Sequence, residues 1–124
     1  MSVAAALAWG GVVAAGGVGA VLRFLVDGAL SRRWGGGLPV GTLLVNLTGA
    51  FALGLLDGLV LPPPEALVVG TGLVGAYTTF STWMFETQRL AEERQLLGAW
   101  ANLAVSVALG IAVAALGLWA GGAL

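Results

Sequence analysis

The 124-residue chain is 59% hydrophobic and only 9% charged, with a formal net charge of -1 and neither Cys nor His. An ordinary soluble domain carries about a quarter of its residues as charges, so this composition excludes one. It also excludes disulfides and thiolate metal ligands, and it gives no basis for a nucleic-acid partner.

The five Arg and six acidic residues are clustered, leaving four uncharged runs at 1–22, 38–56, 66–85 and 95–124. Each reaches or approaches the roughly 20 residues that a helix needs to cross the hydrocarbon core. With a mean hydropathy of +0.99, the expectation is an all-α membrane protein: four transmembrane helices forming one domain over residues 1–124. The first run has no basic residue ahead of it and three further spans after it, so it reads as a span rather than a signal peptide.

The first predicted helix covers Val3 to Leu30 and is dense in glycine, at 10, 11, 16, 17 and 19. Small residues at this density let helix backbones approach closely in lipid. Arg23 stands near its end with Asp27 one turn later. Two readings stay open: an interfacial ion pair with a snorkelling arginine, or a cation that concentrates anions at a pore mouth. Ser31 to Leu38 (SRRWGGGL) reads as a basic, glycine-rich loop, with Trp34 in the interfacial aromatic belt. Pro39 suits the first turn of the next helix.

The second helix is predicted from Val40 to Val60. Thr42, Asn46 and Gly49 share one of its faces. An Asn in hydrocarbon must be bonded, so its amide is either interhelical glue or a donor facing a ligand. Gly54 and Gly58 form a GxxxG, and Asp57 falls at the far interface. Leu61-Pro62-Pro63-Pro64-Glu65 then breaks the chain into a stiff connection.

The third span starts near Ala66 and contains the densest polar stretch, Ala76-Tyr77-Thr78-Thr79-Phe80-Ser81-Thr82-Trp83. Gly75, followed by β-branched and aromatic residues, is a poor helix centre, so a local unwinding is expected at Gly75–Thr79. Freed carbonyls at membrane depth are tolerable only within protein or along a cavity, where such breaks bind ions. Beyond the break, Phe80 and Trp83 lie on one face. Glu86 to Arg94 (ETQRLAEER) carries five charges of both signs and reads as a solvated extension with a topological role. The fourth helix runs from Leu97 to Trp119. Its Asn102, Ser106 and Gly110 repeat every fourth position, either as a packing seam or as a polar track.

With four spans, all five Arg (23, 32, 33, 89 and 94) fall on the side of loops 31–37 and 86–94. The positive-inside rule places those loops in the cytoplasm and both termini outside.

Three stretches resemble one family. They are Gly16-Gly17-Val18-Gly19-Ala20-Val21-Leu22-Arg23-Phe24, then Gly41-Thr42-Leu43-Leu44-Val45-Asn46-Leu47-Thr48-Gly49-Ala50-Phe51, then Gly75-Ala76-Tyr77-Thr78-Thr79-Phe80-Ser81-Thr82. The chain is similar to the Fluc-type (CrcB-like) fluoride channels of microbial membranes. The resemblance implies an antiparallel, dual-topology dimer with two fluoride pathways along the subunit interface. It implies pore roles for Asn46, Phe80 and Ser106, with Thr79, Ser81 and Thr82 in the hydroxyl-bearing segment and Arg23 near the aqueous vestibule. It further implies a central Na⁺ held by backbone carbonyls near Gly75, Thr78 and Thr79. Trp83 stands where the family usually has its second pore phenylalanine. Its ring edge and indole N–H are expected to keep the role. Phe85 points about 200° away from it on an ideal helix. The one-sided charge count departs from a dual-topology homodimer and suggests a related partner of opposite orientation.

Residue chemistry points the same way. Fluoride is small and strongly hydrated, so a passage must replace water with donors such as the Asn46 amide and the hydroxyls of Thr42, Ser81, Thr82 and Ser106. Aromatic rings carry a positive edge that Phe80 and Trp83 can turn toward an anion. The expected function is passive, fluoride-selective export. A small four-helix exporter, whose proton coupling needs a carboxylate at the centre of a span, and a non-conducting structural subunit are the alternatives. With no Cys, no His and no central acid–base group, an enzyme is not expected.

Overall fold

The computed structural model describes residues 1–124. Helix α1 spans Val3–Trp34, opening at Ser2, whose Oγ accepts from the Ala5 N–H at 3.1 Å. That side chain answers one of the four orphan donors of a helix start. The helix runs straight through Ser31-Arg32-Arg33-Trp34, so the expected loop shrinks to Gly35–Pro39. Arg32 and Arg33 occupy the last turn, where cations favour the negative end of the helix dipole. The Arg33 guanidinium also lies 5.3 Å over the Trp34 ring.

Helix α2 spans Val40–Leu59 and ends at Val60, which takes the left-handed conformation (φ 53°). A β-branched residue rarely adopts it, and here Pro62 and Pro63 follow and prevent the helix from continuing. A short α3 (Pro63–Ala66) leads into a π-helical stretch, Leu67–Val74, and then α4 (Gly75–Tyr77). Thr78 is extended (ψ 160°), and α5 resumes at Ser81–Glu92. The last helix, α6, spans Leu96–Gly122.

One expectation about the third segment needs correction, the unwinding at Gly75–Thr79. Gly75 is helical (φ -59°, ψ -40°), so the interruption is confined to residues 78–80, and the widened turns precede it. The reason lies in Asn46, described below, which supplies Thr79 with a partner for each backbone group. Helices α1, α2 and α6 are each long and apolar enough to cross a membrane.

The most extensive packing sets α2 against α6. A Cβ added at Gly54 would collide with the Ala114 carbonyl, and one at Gly58 with the Leu118 carbonyl. From the other side, Gly117 and Gly121 rest on the carbonyls of Phe51 and Leu55. Two GxxxG motifs thus interlock backbone to backbone, the close approach that small residues permit in lipid. Only 12 of 124 residues are buried, while Val13 (76%), Phe24 (78%) and Ile111 (68%) stand exposed. A water-facing surface of that kind would be unstable, so this surface suits lipid or a partner helix.

Candidate functional site

The interruption in the third segment strips Thr79 of its helical hydrogen bonds, and α2 replaces them with one side chain. Asn46 Nδ2 donates to the Thr79 carbonyl at 2.8 Å, and Asn46 Oδ1 accepts from the Thr79 N–H at 2.8 Å. A primary amide has two N–H groups, so one remains for a ligand. The two sequence readings of Asn46 are therefore compatible: the same amide binds the break and still offers a donor.

Helix α5 restarts on Thr79 as well. The Thr79 Oγ1 accepts from the Thr82 N–H at 3.2 Å, in the manner of an N-cap, while its hydroxyl lies 3.1 Å from Thr82 Oγ1. Arg23 reaches across from α1 and donates through Nη1 to the Thr78 carbonyl at 3.2 Å. The pairing with Asp27, one of the two readings of Arg23, is not formed, and Asp27 instead accepts from Ser31 Oγ at 3.4 Å. A guanidinium is thereby fixed beside the broken backbone.

Two cavities meet at Thr79. One, of about 330 Å³, is lined by Asn46, Thr78, Thr79, Phe80 and Trp83, together with Gly75 and apolar neighbours. The other, of about 230 Å³, is lined by Arg23, Asp27, Thr42, Thr79 and Thr82, with Phe24 at its edge. Ser81 is exposed, with its Oγ 3.5 Å from Thr79 Oγ1. Ser106 is not brought to these residues within one chain. It lines a separate hollow of about 210 Å³ beside Leu43 and Asn102, and its buried Oγ has no hydrogen-bond partner. A larger hollow, about 980 Å³, adjoins the Asn46 cavity through Ala50, Leu53, Gly70 and Gly75 and is lined mostly by apolar residues, with Asp57 and Thr71 among them.

Phe80 is 70% exposed and meets Trp83 edge to face, with ring centroids 5.7 Å apart. The Trp83 indole N–H, expected to face an anion, donates instead to the Asn102 carbonyl on α6 at 3.2 Å. Glu86 also departs from expectation. It is half-buried, with Oε1 accepting from the Thr42 hydroxyl at 2.8 Å and Oε2 buried without a partner. Its place at the head of a charged run hid this, because the Thr42 contact is 44 residues away in sequence.

A family model described as "CrcB-like protein, Camphor Resistance (CrcB)" matches residues 11–118. The chain belongs to the CrcB-like fluoride-channel family. It is 61% identical over 111 residues to "Fluoride-specific ion channel FluC 2" of Mycobacterium tuberculosis (strain ATCC 25618 / H37Rv), covering 90% of this chain and 88% of that protein. It is 44% identical over 115 residues to "Fluoride-specific ion channel FluC 1" of Leifsonia xyli subsp. xyli (90% and 84% covered). A third relative, "Fluoride-specific ion channel FluC 1" of Symbiobacterium thermophilum, is 41% identical over 118 residues (90% and 95% covered). CrcB-like membership places the chain among channels and not among enzymes. Together with the three long apolar helices, it makes this a multi-pass membrane protein.

Proposed function

We propose that this chain conducts fluoride passively across the cell membrane and so lowers cytoplasmic fluoride. The observation that carries the reading is the Asn46–Thr79 pairing, 2.8 Å in both directions, in the cavity that Phe80 and Trp83 also line. There an amide donor and aromatic ring edges are offered together, with no carboxylate among the lining residues. Such groups replace part of fluoride's hydration without repelling it. The membrane restores little of what water gives an anion, so neutral donors arranged in advance are the chemistry required.

On this reading the interrupted segment from α3 to α5 is the fourth span, and the whole chain is one transmembrane domain. Two copies, or this chain and a related one, pack antiparallel with two fluoride pathways along their interface. Asn46, Phe80, Ser81, Thr82 and Ser106 line the path, and Arg23 serves the vestibule; the Thr42 hydroxyl, expected among the donors, is already given to Glu86. Ser106 Oγ is buried and unpartnered within the chain, which leaves its hydroxyl proton free to donate. The Arg-bearing ends at 31–37 and 86–94 face the cytoplasm, by the positive-inside rule. That fixed orientation favours a partner of reversed charge bias. The numbered names FluC 1 and FluC 2 among the relatives are consistent with paired chains.

A central Na⁺ belongs to the same proposal. No three His, Cys, Asp or Glu side chains gather into a metal site, so a cation would rely on main-chain oxygens. The carbonyls of Thr78 and Thr79 already accept from Arg23 and Asn46, and each retains a second lone pair. The carbonyls of Thr79 and Gly75 suit a small monovalent cation in chemistry, while the guanidinium on the Thr78 carbonyl would repel one there; a bound cation's charge would favour an anion nearby. The deciding experiment uses liposomes holding the chain with its oppositely oriented partner. Fluoride is expected to leak far faster than chloride; equal or absent leaks overturn the reading.

A further inference from the structure

The more exposed of the two rings at the interruption rests on a second ring, and that ring is held by α6. Phe80 is 70% exposed and sits on an interruption, where the local helix does little to fix its side chain. Its aromatic neighbour is Trp83, edge to face at 5.7 Å and 80°. Trp83 in turn closes a ring of hydrogen bonds. Its indole N–H donates to the Asn102 carbonyl at 3.2 Å, Asn102 Nδ2 donates to Thr87 Oγ1 at 2.8 Å, and the Thr87 hydroxyl donates to the Trp83 carbonyl at 2.8 Å. Each of the three residues is bonded to the other two.

We propose that Trp83 is a positioning residue: it sets the orientation of the Phe80 ring toward the ion while its own polar atom is engaged on α6. An N–H already donating to a carbonyl is a poor candidate for an anion ligand, because capture of the anion would leave that contact unmade. The geometry therefore divides two adjacent aromatics by role. Phe80 meets the ion, and Trp83 holds Phe80. Asn102 and Thr87, on α6 and α5, become a buttress acting at one remove. The inference rests on the fluoride-channel reading and adds to it a chain of command from α6 to the pathway.

The test is a set of efflux measurements on the complete channel, with its partner, in liposomes. Trp83→Phe keeps an aromatic ring and removes the indole donor, and fluoride efflux is expected to fall about three- to tenfold. Thr87→Val loosens the buttress without touching either ring, with a smaller loss expected. Both substitutions are then repeated in a Phe80→Leu background. If Trp83 acts through Phe80, they lose their effect there; multiplicative losses that persist without the Phe80 ring overturn the proposal. So does a Trp83→Phe channel as fast as the wild type. A variant that fails to assemble is replaced by benzothienylalanine at position 83, which keeps the bicyclic shape and lacks the N–H, read by the same comparison. Wild-type channels that do not pass fluoride would instead defeat the channel reading itself, so the two failures are distinguishable.

Discussion

Helix α2 makes two contacts of opposite kind. Toward α6 it offers Gly54 and Gly58 and receives Gly117 and Gly121, with backbone against backbone and no side-chain hydrogen bond across the seam. Toward the interrupted segment it offers Asn46, whose amide replaces both hydrogen bonds that Thr79 lacks. Where a helix is whole, its polar groups are satisfied internally and association in lipid needs only close fit. Where it is broken, a side chain must substitute for the ladder. One contact is therefore sensitive to volume and the other to hydrogen-bonding capacity.

The largest effect should come from violating the first contact. Gly54→Leu would drive a side chain into the Ala114 carbonyl, with a cost of about 3 kcal/mol or more because backbone must move on both helices. Loss of assembled protein on gel filtration in detergent is the expected outcome; a normal elution profile would mean that the seam is looser than described. Asn46→Ala attacks the second contact. It strands the Thr79 N–H and carbonyl, at about 1–3 kcal/mol for each buried unsatisfied group. Fluoride efflux should disappear along with a marked drop in melting temperature. Asn46→Leu, similar in volume, should rescue neither, because the fault is polar.

Phe80→Ala separates function from stability. The ring is mostly exposed, so melting should change by about 1 kcal/mol or less, while efflux falls at least about tenfold. Equal losses in both would assign Phe80 to packing. The smallest effect is expected of Arg23→Gln, which can still donate to the Thr78 carbonyl but carries no charge. Efflux should slow about two- to fivefold at low ionic strength and converge with the wild type at high salt, as screening removes the guanidinium's influence. A gap that persists at high salt would make Arg23 a structural bond only.

Much of this was legible in the sequence for simple reasons. Uncharged runs locate the three long apolar helices, since the bilayer's thickness sets a length, and Pro62-Pro63 mark the end of α2 through backbone geometry. The GxxxG at Gly54 was visible, but its counterpart at Gly117 and Gly121 was masked by the abundance of small residues in α6. The end of α1 was misread because Ser31-Arg32-Arg33-Trp34 looks like a loop in composition. At a helix C-terminus, however, those same arginines are favourable. What could not be read were the partners of polar atoms. Thr79 finds Asn46 across 33 residues, Arg23 finds Thr78 across 55, and Trp83 finds Asn102 across 19. Periodicity assigns a residue to a face but not to an acceptor. That is why Glu86 was placed in solvent and the Trp83 indole toward an ion.

Thr79 lines both cavities. Its peptide groups belong to Asn46 on one side, and its hydroxyl belongs to Thr82 on the other. Thr79 is thus the lining residue that the two hollows share, and a change of its side chain would be felt in both.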